Sequence, residues 1–314
     1  MKLVILDAAT LGDDMDLSIF DEFGEKEVYM STAPHEVEER IKHANAVIVN
    51  KIKMNESNLK NAERLKLICI TATGYDNIDV EYCRKNNIAV CNVVRYSTQS
   101  VAQVTVSMAL SLMTHLPEYT EFVESGKYAE SGVSNRLTPV YHEICGKTWG
   151  IVGYGNIGAQ VGCVAKALGC RVIVNKRTPI DGEECVDIDT LCRESDIISI
   201  HAPLTNQTRG LISREKINLM KKSAIVINVA RGAVVDEMAL CDAVKEGRIG
   251  GLGCDVYSVE PFQKDSPYAS VAHLRNVCLT PHMAWGAYEA RVRCLNEIKL
   301  NIKAFLNGKL RNRV

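Results

Sequence analysis

Over roughly the first hundred positions, short apolar runs alternate with polar stretches of helical spacing. Residues 3–6, 28–30, 46–49, 67–70 and 88–90 read as buried strands. Between them, residues 34–43, 56–62 and 80–85 are polar enough to be surface helices, and Pro34 suits a first helical turn. Alternating strand and helix predicts a parallel sheet covered on both faces.

Residues 98–116 are apolar nearly all round, from Val101 and Val104 through Met108, Leu112 and Met113, and they stop before Pro117. They predict a buried helix between two domains. Residues 118–143 are polar, carry Gly126, Gly132 and Pro139, and show no firm period, which predicts an excursion with one short helix. The strand rhythm then returns at 149–152, 171–174, 197–200, 224–229, 251–255 and 277–279, with helices at 213–220 and 237–246. A last helical pattern covers 287–306, with Gly308 at a plausible C′ position.

The strand at 149–152 runs into Gly153-Tyr154-Gly155-Asn156-Ile157-Gly158, and Val161, Val164, Ala165 and Leu168 then fall on one helical face. Strand, G-x-G-x-x-G, helix and a further strand form the unit that a dinucleotide fingerprint requires. The first glycine permits the tight turn, the second lets backbone approach a pyrophosphate, and the third lets helix and strand pack closely. Free N–H groups and the dipole at the helix start favour an anion. The fold class expected is α/β, with two doubly wound parallel-sheet domains. One is a Rossmann NAD(P)-binding domain over 99–286, the other a flavodoxin-like substrate domain over 1–98 plus 287–314.

The chain has 314 residues, enough for two cores, and its 37 basic and 38 acidic residues nearly cancel. No basic field points to nucleic acid, and no run approaches membrane-spanning length. The search narrows to a small-molecule site. Twelve cysteines show no C-x-x-C spacing, and several lie in apolar runs, as reduced thiols of a cytoplasmic protein would. No metal is expected, because His35, His43, His115, His142 and His273 form no ligand spacing.

In open α/β sheets ligands gather beyond the carboxyl ends of strands. Three such ends are polar: 228–232 with Arg231, 254–261 with Asp255 and Glu260, and 279–285 with His282. Together they offer a cation to hold a carboxylate, a proton carrier and a carboxylate to orient that carrier. The order of Gly153 to Gly158, His201-Ala202-Pro203-Leu204, Asn228-Val229-Ala230-Arg231-Gly232, Asp255 with Glu260-Pro261, and Pro281-His282 resembles the D-isomer-specific 2-hydroxyacid dehydrogenase family. Residues 72–79, 96–103 and 281–285 are further similar to its glycerate dehydrogenase (hydroxypyruvate reductase) branch.

The resemblance implies that His282 is the general acid/base and that Glu260 bonds its other ring nitrogen and favours the protonated form. Arg231 would hold the substrate carboxylate, with backbone N–H groups at Thr73 and Gly74 completing that site. Gly153, Gly155, Asn156, Ile157 and Gly158 would take the pyrophosphate. Val229, Ala230 and Asp255 would meet the carboxamide, and His201, Pro203 and Thr208 would line the cofactor loop. A homodimer, with its arm in the excursion over 118–143, is likewise implied.

One departure from the family pattern bears on the cofactor. NAD-preferring members end the second strand of the nucleotide domain with an acid, whereas this chain has Asn175-Lys176-Arg177-Thr178. Lys176, Arg177 and Thr178 are suited to a 2′-phosphate, so NADP is expected over NAD. The activity expected is reduction of a small 2-oxo acid such as hydroxypyruvate or glyoxylate. Two other readings share the fold: a nucleotide-sensing, co-repressor-like binding protein, and a formate- or phosphite-type dehydrogenase.

Overall fold

Eight of the strands, over residues 3–5, 46–49, 67–70, 89–91, 148–152, 197–200, 225–228 and 251–254, are buried at every residue, as parallel sheets covered on both faces require. The protein is described by a computed structural model covering all 314 residues. They fall into two units, Met1–Ser97 with Gly286–Val314, and Thr98–Trp285.

The first unit contains β1 (Leu3–Ile5), β2 (Lys26–Val28), β3 (Ala46–Val49), β4 (Leu67–Ile70) and β5 (Ala89–Cys91), all parallel, in the order β2-β1-β3-β4-β5. This flavodoxin-like order places the topological switch between β1 and β3. One face is filled by Val4, Val47, Val49, Ile68 and Ile70, packed with Val37 and Ile41 of α1 (Val37–Ile41), Leu59 of α2 (Glu56–Leu59) and Cys83 of α3 (Val80–Lys85). The C-terminal helix, Tyr288–Leu306, packs on β4. Buried Asn301 ties it down: Nδ2 donates to Asn92 O at 2.9 Å, while Oδ1 accepts from Arg311 at 2.7 Å and Asn312 at 3.0 Å. Gly308 follows with φ +66°, the left-handed backbone of a C′ residue.

The second unit opens with α4 (Thr98–Thr114), α5 (Leu116–Glu124) and α6 (Lys127–Glu130), followed by β6 (Thr148–Val152), α7 (Asn156–Ala167), β7 (Arg171–Asn175) and β8 (Glu184–Cys185). Then come α8 (Ile188–Glu194), β9 (Ile197–Ile200), α9 (Arg214–Asn218), β10 (Ile225–Asn228), α10 (Glu237–Lys245), β11 (Gly251–Cys254) and β12 (Val277–Leu279). The seven parallel strands run β12-β11-β10-β9-β6-β7-β8, the Rossmann order extended by one strand, with its switch between β6 and β9.

Three expectations change. The helix at 98–116 stops at Thr114, because His115 turns left-handed at φ +52°. Pro117 then lies in the first turn of α5, where its missing N–H costs nothing, so it starts a helix rather than ending one. Burial on α4 is one-sided: Val101, Thr105, Met108, Ala109 and Leu112 are buried, whereas Gln103 and Ser107 are exposed. The excursion holds two helices, and neither buries a residue. Helix α8 was not among the expected elements; its one sequence mark is the cap, where Asp187 accepts from the Asp189 and Thr190 N–H groups, both at 2.9 Å. Strand β8 has two residues, too few to show any period.

Candidate active site

The phosphate turn leaves β6 with Gly153 at φ +89°. A Cβ there would lie 2.6 Å from Ala202 N, and one at Gly158 would lie 2.3 Å from Gly153 O, so both glycines are demanded by close backbone packing. Gly155 differs, since a Cβ there would meet nothing within 4 Å, which leaves room for a ligand. Helix α7 has no side-chain cap and no acid in its first turn. Its N-terminal N–H groups are not taken by a side chain, and the donor set fits a pyrophosphate.

Asn175 at the end of β7 donates to Val186 O at 3.0 Å. Lys176, Arg177 and Thr178 are exposed beyond it and make no hydrogen bond or ion pair. Both cations are open to an anionic ligand. The loop after β9 is held locally, with Thr208 Oγ1 donating to Pro203 O at 2.5 Å and accepting from Thr205 N at 2.8 Å. His201 Nε2 meets Ser199 Oγ at 3.0 Å, and its Nδ1 is buried without a partner. Burial pushes the imidazole down to about 3.

At the carboxyl ends of β10, β11 and β12 the polar side chains are wired together. Buried Asn228 clamps the turn that follows it, donating to Arg231 O at 3.0 Å and accepting from Ala230 N at 3.1 Å. A Cβ on Gly232 would lie 2.1 Å from Ser258 N, so the Arg231 turn and the loop leading to Glu260 touch through backbone. The Arg231 guanidinium donates to Ala230 O at 2.8 Å. Val229 lies buried in the same turn.

Buried Asp255 accepts from Thr280 Oγ1 at 2.6 Å, Met283 N at 2.8 Å and Ala284 N at 2.9 Å. Those bonds hold the His282 turn, whose N–H also reaches Thr280 O at 3.0 Å. His282 sits at φ +53°, a costly conformation for a residue with a Cβ, and the Asp255 staple holds it there. Glu260 Oε2 lies 2.6 Å from His282 Nδ1, and Oε1 accepts from Tyr257 N at 3.1 Å. The Tyr257 hydroxyl bonds Thr280 O at 2.9 Å, and its ring packs edge-on against Phe262 and Tyr268, with centroids at 4.8 and 5.0 Å.

A carboxylate at Nδ1 fixes the proton there and directs Nε2 outward as the exchanging nitrogen. The second unit thus brings Arg231, Glu260, His282 and Asp255 onto three adjoining loops. Thr73 and Gly74 belong to the first unit, where Thr73 Oγ1 donates to Val93 O at 2.7 Å and Asn92 Nδ2 donates to Thr73 O at 2.8 Å. Asn228, Tyr257 and Thr280 were not among the expected site residues. Asn228 was signalled by a lone polar position ending an apolar strand, whereas the Thr280 hydroxyl bonds Asp255 and the Tyr257 hydroxyl bonds Thr280 O, pairings that leave no mark in the sequence.

Residues 106–284 match the family described as "D-isomer specific 2-hydroxyacid dehydrogenase, NAD binding domain". The chain is 37% identical over 312 residues to the glycerate dehydrogenase of Methylorubrum extorquens, covering 99% of this chain and 98% of that one. It is 33% identical to the hydroxypyruvate reductase of Blautia hydrogenotrophica, with 98% of each covered. Among solved structures, the acyclic imino acid reductase Bsp5 in complex with NADPH and D-Arg aligns over the whole of both chains, with a TM-score of 0.88 and 31% identity. With that profile over more than half its length and full-length relatives above 30% identity, the chain belongs to the D-isomer-specific 2-hydroxyacid dehydrogenase family.

Proposed function

We propose that the protein reduces a small 2-oxo acid, hydroxypyruvate or glyoxylate, to the D-2-hydroxy acid, with NADPH preferred over NADH. The observation carrying this is the 2.6 Å pair of His282 Nδ1 and Glu260 on loops stapled next to Arg231. When bound, the dinucleotide supplies the hydride that reaches the substrate's C2. His282 Nε2 gives its proton to the oxygen at C2, and Glu260 offsets the charge on the imidazolium before that transfer. Arg231 holds the carboxylate by a fork of donors and polarises the adjacent carbonyl. Thr73 and Gly74 are assigned to the same carboxylate by resemblance. Asp255, with both oxygens engaged inside the chain, acts by positioning the His282 turn.

For the cofactor, the phosphate turn is Gly153, Gly155, Asn156, Ile157 and Gly158. His201, Pro203 and Thr208 would line the cofactor loop, and the Val229 and Ala230 backbone would meet the carboxamide. Unpaired Lys176 and Arg177, with Thr178, take the 2′-phosphate. Six of the exposed large apolar side chains, Val123, Tyr128, Val133, Leu137, Val140 and Tyr141, crowd into the arm. They support a homodimer built on that arm. Eight buried thiols and the full-length relatives support a cytoplasmic enzyme.

Purified protein is to be assayed with a panel of 2-oxo acids and both reduced cofactors, followed by loss of reduced-cofactor absorbance. Turnover of hydroxypyruvate or glyoxylate, faster with NADPH, is expected; no turnover with any 2-oxo acid overturns the proposal. Light scattering on the eluting protein should give twice the chain mass.

A further inference from the structure

The phosphate turn carries one aromatic side chain, Tyr154, that the chemistry described so far does not use. Its ring lies back along α7. A Cβ on Gly162, inside that helix, would come 2.9 Å from the Tyr154 hydroxyl oxygen and 3.0 Å from Cε2, so the helix leaves out a side chain where the ring lies. A glycine in a helix interior is a cost in itself. The hydroxyl donates to Glu183 Oε1 at 2.8 Å, and Lys166, in the last turn of α7, donates to the two oxygens of that carboxylate at 2.9 and 2.7 Å. Burial first, and then the bond to Glu183, push the Tyr154 phenol up, so it keeps its proton and donates. The Lys166 ammonium holds Glu183 below the usual carboxylate range. The Glu183 side chain is 16% exposed, which separates it from the fully solvated carboxylates whose ion pairs order nothing.

Glu183 closes the loop that carries Lys176, Arg177 and Thr178. The loop leaves β7 at Asn175 and comes back to the sheet as β8, where Glu184 and Cys185 pair with Ile173 and Val174. It comes back through a turn in which Glu183 N donates to Ile180 O at 3.3 Å and Gly182 takes φ +80°. Residues 176–179 make no hydrogen bond of their own, from main chain or side chain. Their position follows from the two ends of the loop, Asn175 on the sheet and Glu183 on Tyr154 and Lys166.

We propose that Tyr154, Glu183 and Lys166 form a clamp that positions the 176–182 loop against the phosphate turn, so that the pyrophosphate and 2′-phosphate sites stand at a set spacing before the cofactor arrives. Tyr154 belongs to the turn that meets one phosphate group and Glu183 to the loop that meets the other, and one hydrogen bond joins them. Lys176 and Arg177 are adjacent like charges without anchors, and a released loop would have to be ordered by the ligand at a cost in affinity. The proposal rests on the assignment of Lys176 and Arg177 to the 2′-phosphate and deepens it, from which residues touch that group to which residues place them. The three are positioning residues, acting through the loop and not on the reacting atoms.

The test measures binding of NADPH and NADH to the full-length protein by fluorescence titration, with hydrogen exchange of the cofactor-free protein alongside. Tyr154→Phe keeps the ring over Gly162 and deletes only the hydroxyl, Glu183→Gln removes the charge that Lys166 meets, and Gly162→Ala pushes the ring off from the helix side. Each should weaken NADPH binding about 3- to 10-fold, the scale of one lost hydrogen bond, while NADH moves less than about 2-fold. In turnover the loss should fall on KM for NADPH rather than on kcat. The Tyr154→Phe/Glu183→Gln double variant should be no worse than the weaker-binding single, as members of one unit are. Amides over 176–186 should exchange faster in all three variants, with those of β6 unchanged, and this reads the clamp whichever cofactor the protein prefers. Equal weakening of both cofactors, or exchange of the loop at the wild-type rate, overturns the clamp. A wild type that binds NADH as tightly as NADPH overturns the 2′-phosphate assignment instead.

Discussion

The carboxyl edge of the second sheet is built on opposite principles at its two ends. In the second unit the polar side chains on the loops after β10, β11 and β12 are already bonded: Asp255 to three donors, Asn228 to both sides of its turn, Glu260 to His282 and Tyr257. On the loop after β7, Lys176, Arg177 and Thr178 end in nothing, while the two ends of that loop are bonded, at Asn175 and Glu183. Groups that move protons must hold their geometry before the substrate arrives, so their bonds are made within the chain. Groups that recognise an anion do the reverse, staying open until it arrives, and what is fixed beforehand is the loop that carries them.

Breaking the bonded end should have the largest effects. His282→Gln removes the proton carrier and should lower kcat about 1,000-fold, the usual scale of general acid catalysis, with NADPH affinity unchanged by fluorescence titration. A loss under tenfold would show that the proton comes from elsewhere. Asp255→Asn touches no substrate in this reading, yet it removes the charge that holds the His282 turn. A loss of about 3 kcal/mol in denaturant midpoint stability is expected, together with a fall in kcat, because a charged acceptor of three bonds is being replaced. Were kcat to fall with stability intact, Asp255 would be meeting a ligand directly. Arg177→Asp works at another loop of the second sheet's carboxyl edge, beyond β7, where the cations lack partners. It should raise the KM for NADPH about 10- to 100-fold while sparing NADH, as loss of a charge-assisted pair implies. Equal effects on the two cofactors would remove the 2′-phosphate assignment.

What the sequence made legible follows the same division. Continuous apolar strands such as 46–49 and 67–70 are found to the residue, because burial on both faces leaves no ambiguity. Arg231, Glu260 and His282 were visible as charged or titratable residues just past apolar strands. Asp255 was visible too, but its work was not, since its partners are backbone N–H groups at Met283 and Ala284 that any residue would supply. Pro117 was read as a stop and is a start, because one left-handed residue, His115, resets the chain ahead of it. Tyr154 and Glu183 look like a turn filler and a loop carboxylate; the bond between them, across 29 positions, is a property of the packed chain alone.

The smallest predicted effect separates two histidines that the sequence could not rank. His282 faces a carboxylate, whereas His201 is pushed down to about 3 by burial. Trp149 Nε1 donates to Ser199 Oγ at 2.9 Å, and an indole can only donate. Ser199 Oγ also meets His201 Nε2 at 3.0 Å, and burial keeps the ring neutral. A base whose folded pKa lies below its unfolded value gives its full stability above the unfolded pKa, near 6.5. As pH falls below that, the unfolded chain binds a proton that the native ring refuses until about 3. Between pH 7.5 and 5 the wild type should therefore lose about 2 kcal/mol through this residue, from 1.4 kcal/mol per pH unit. His201→Asn keeps a polar group of similar reach without the titration, and denaturant unfolding at both pH values should show it losing less by that amount. Parallel losses would mean that the native ring takes up its proton in this window and that the buried histidine is not held neutral.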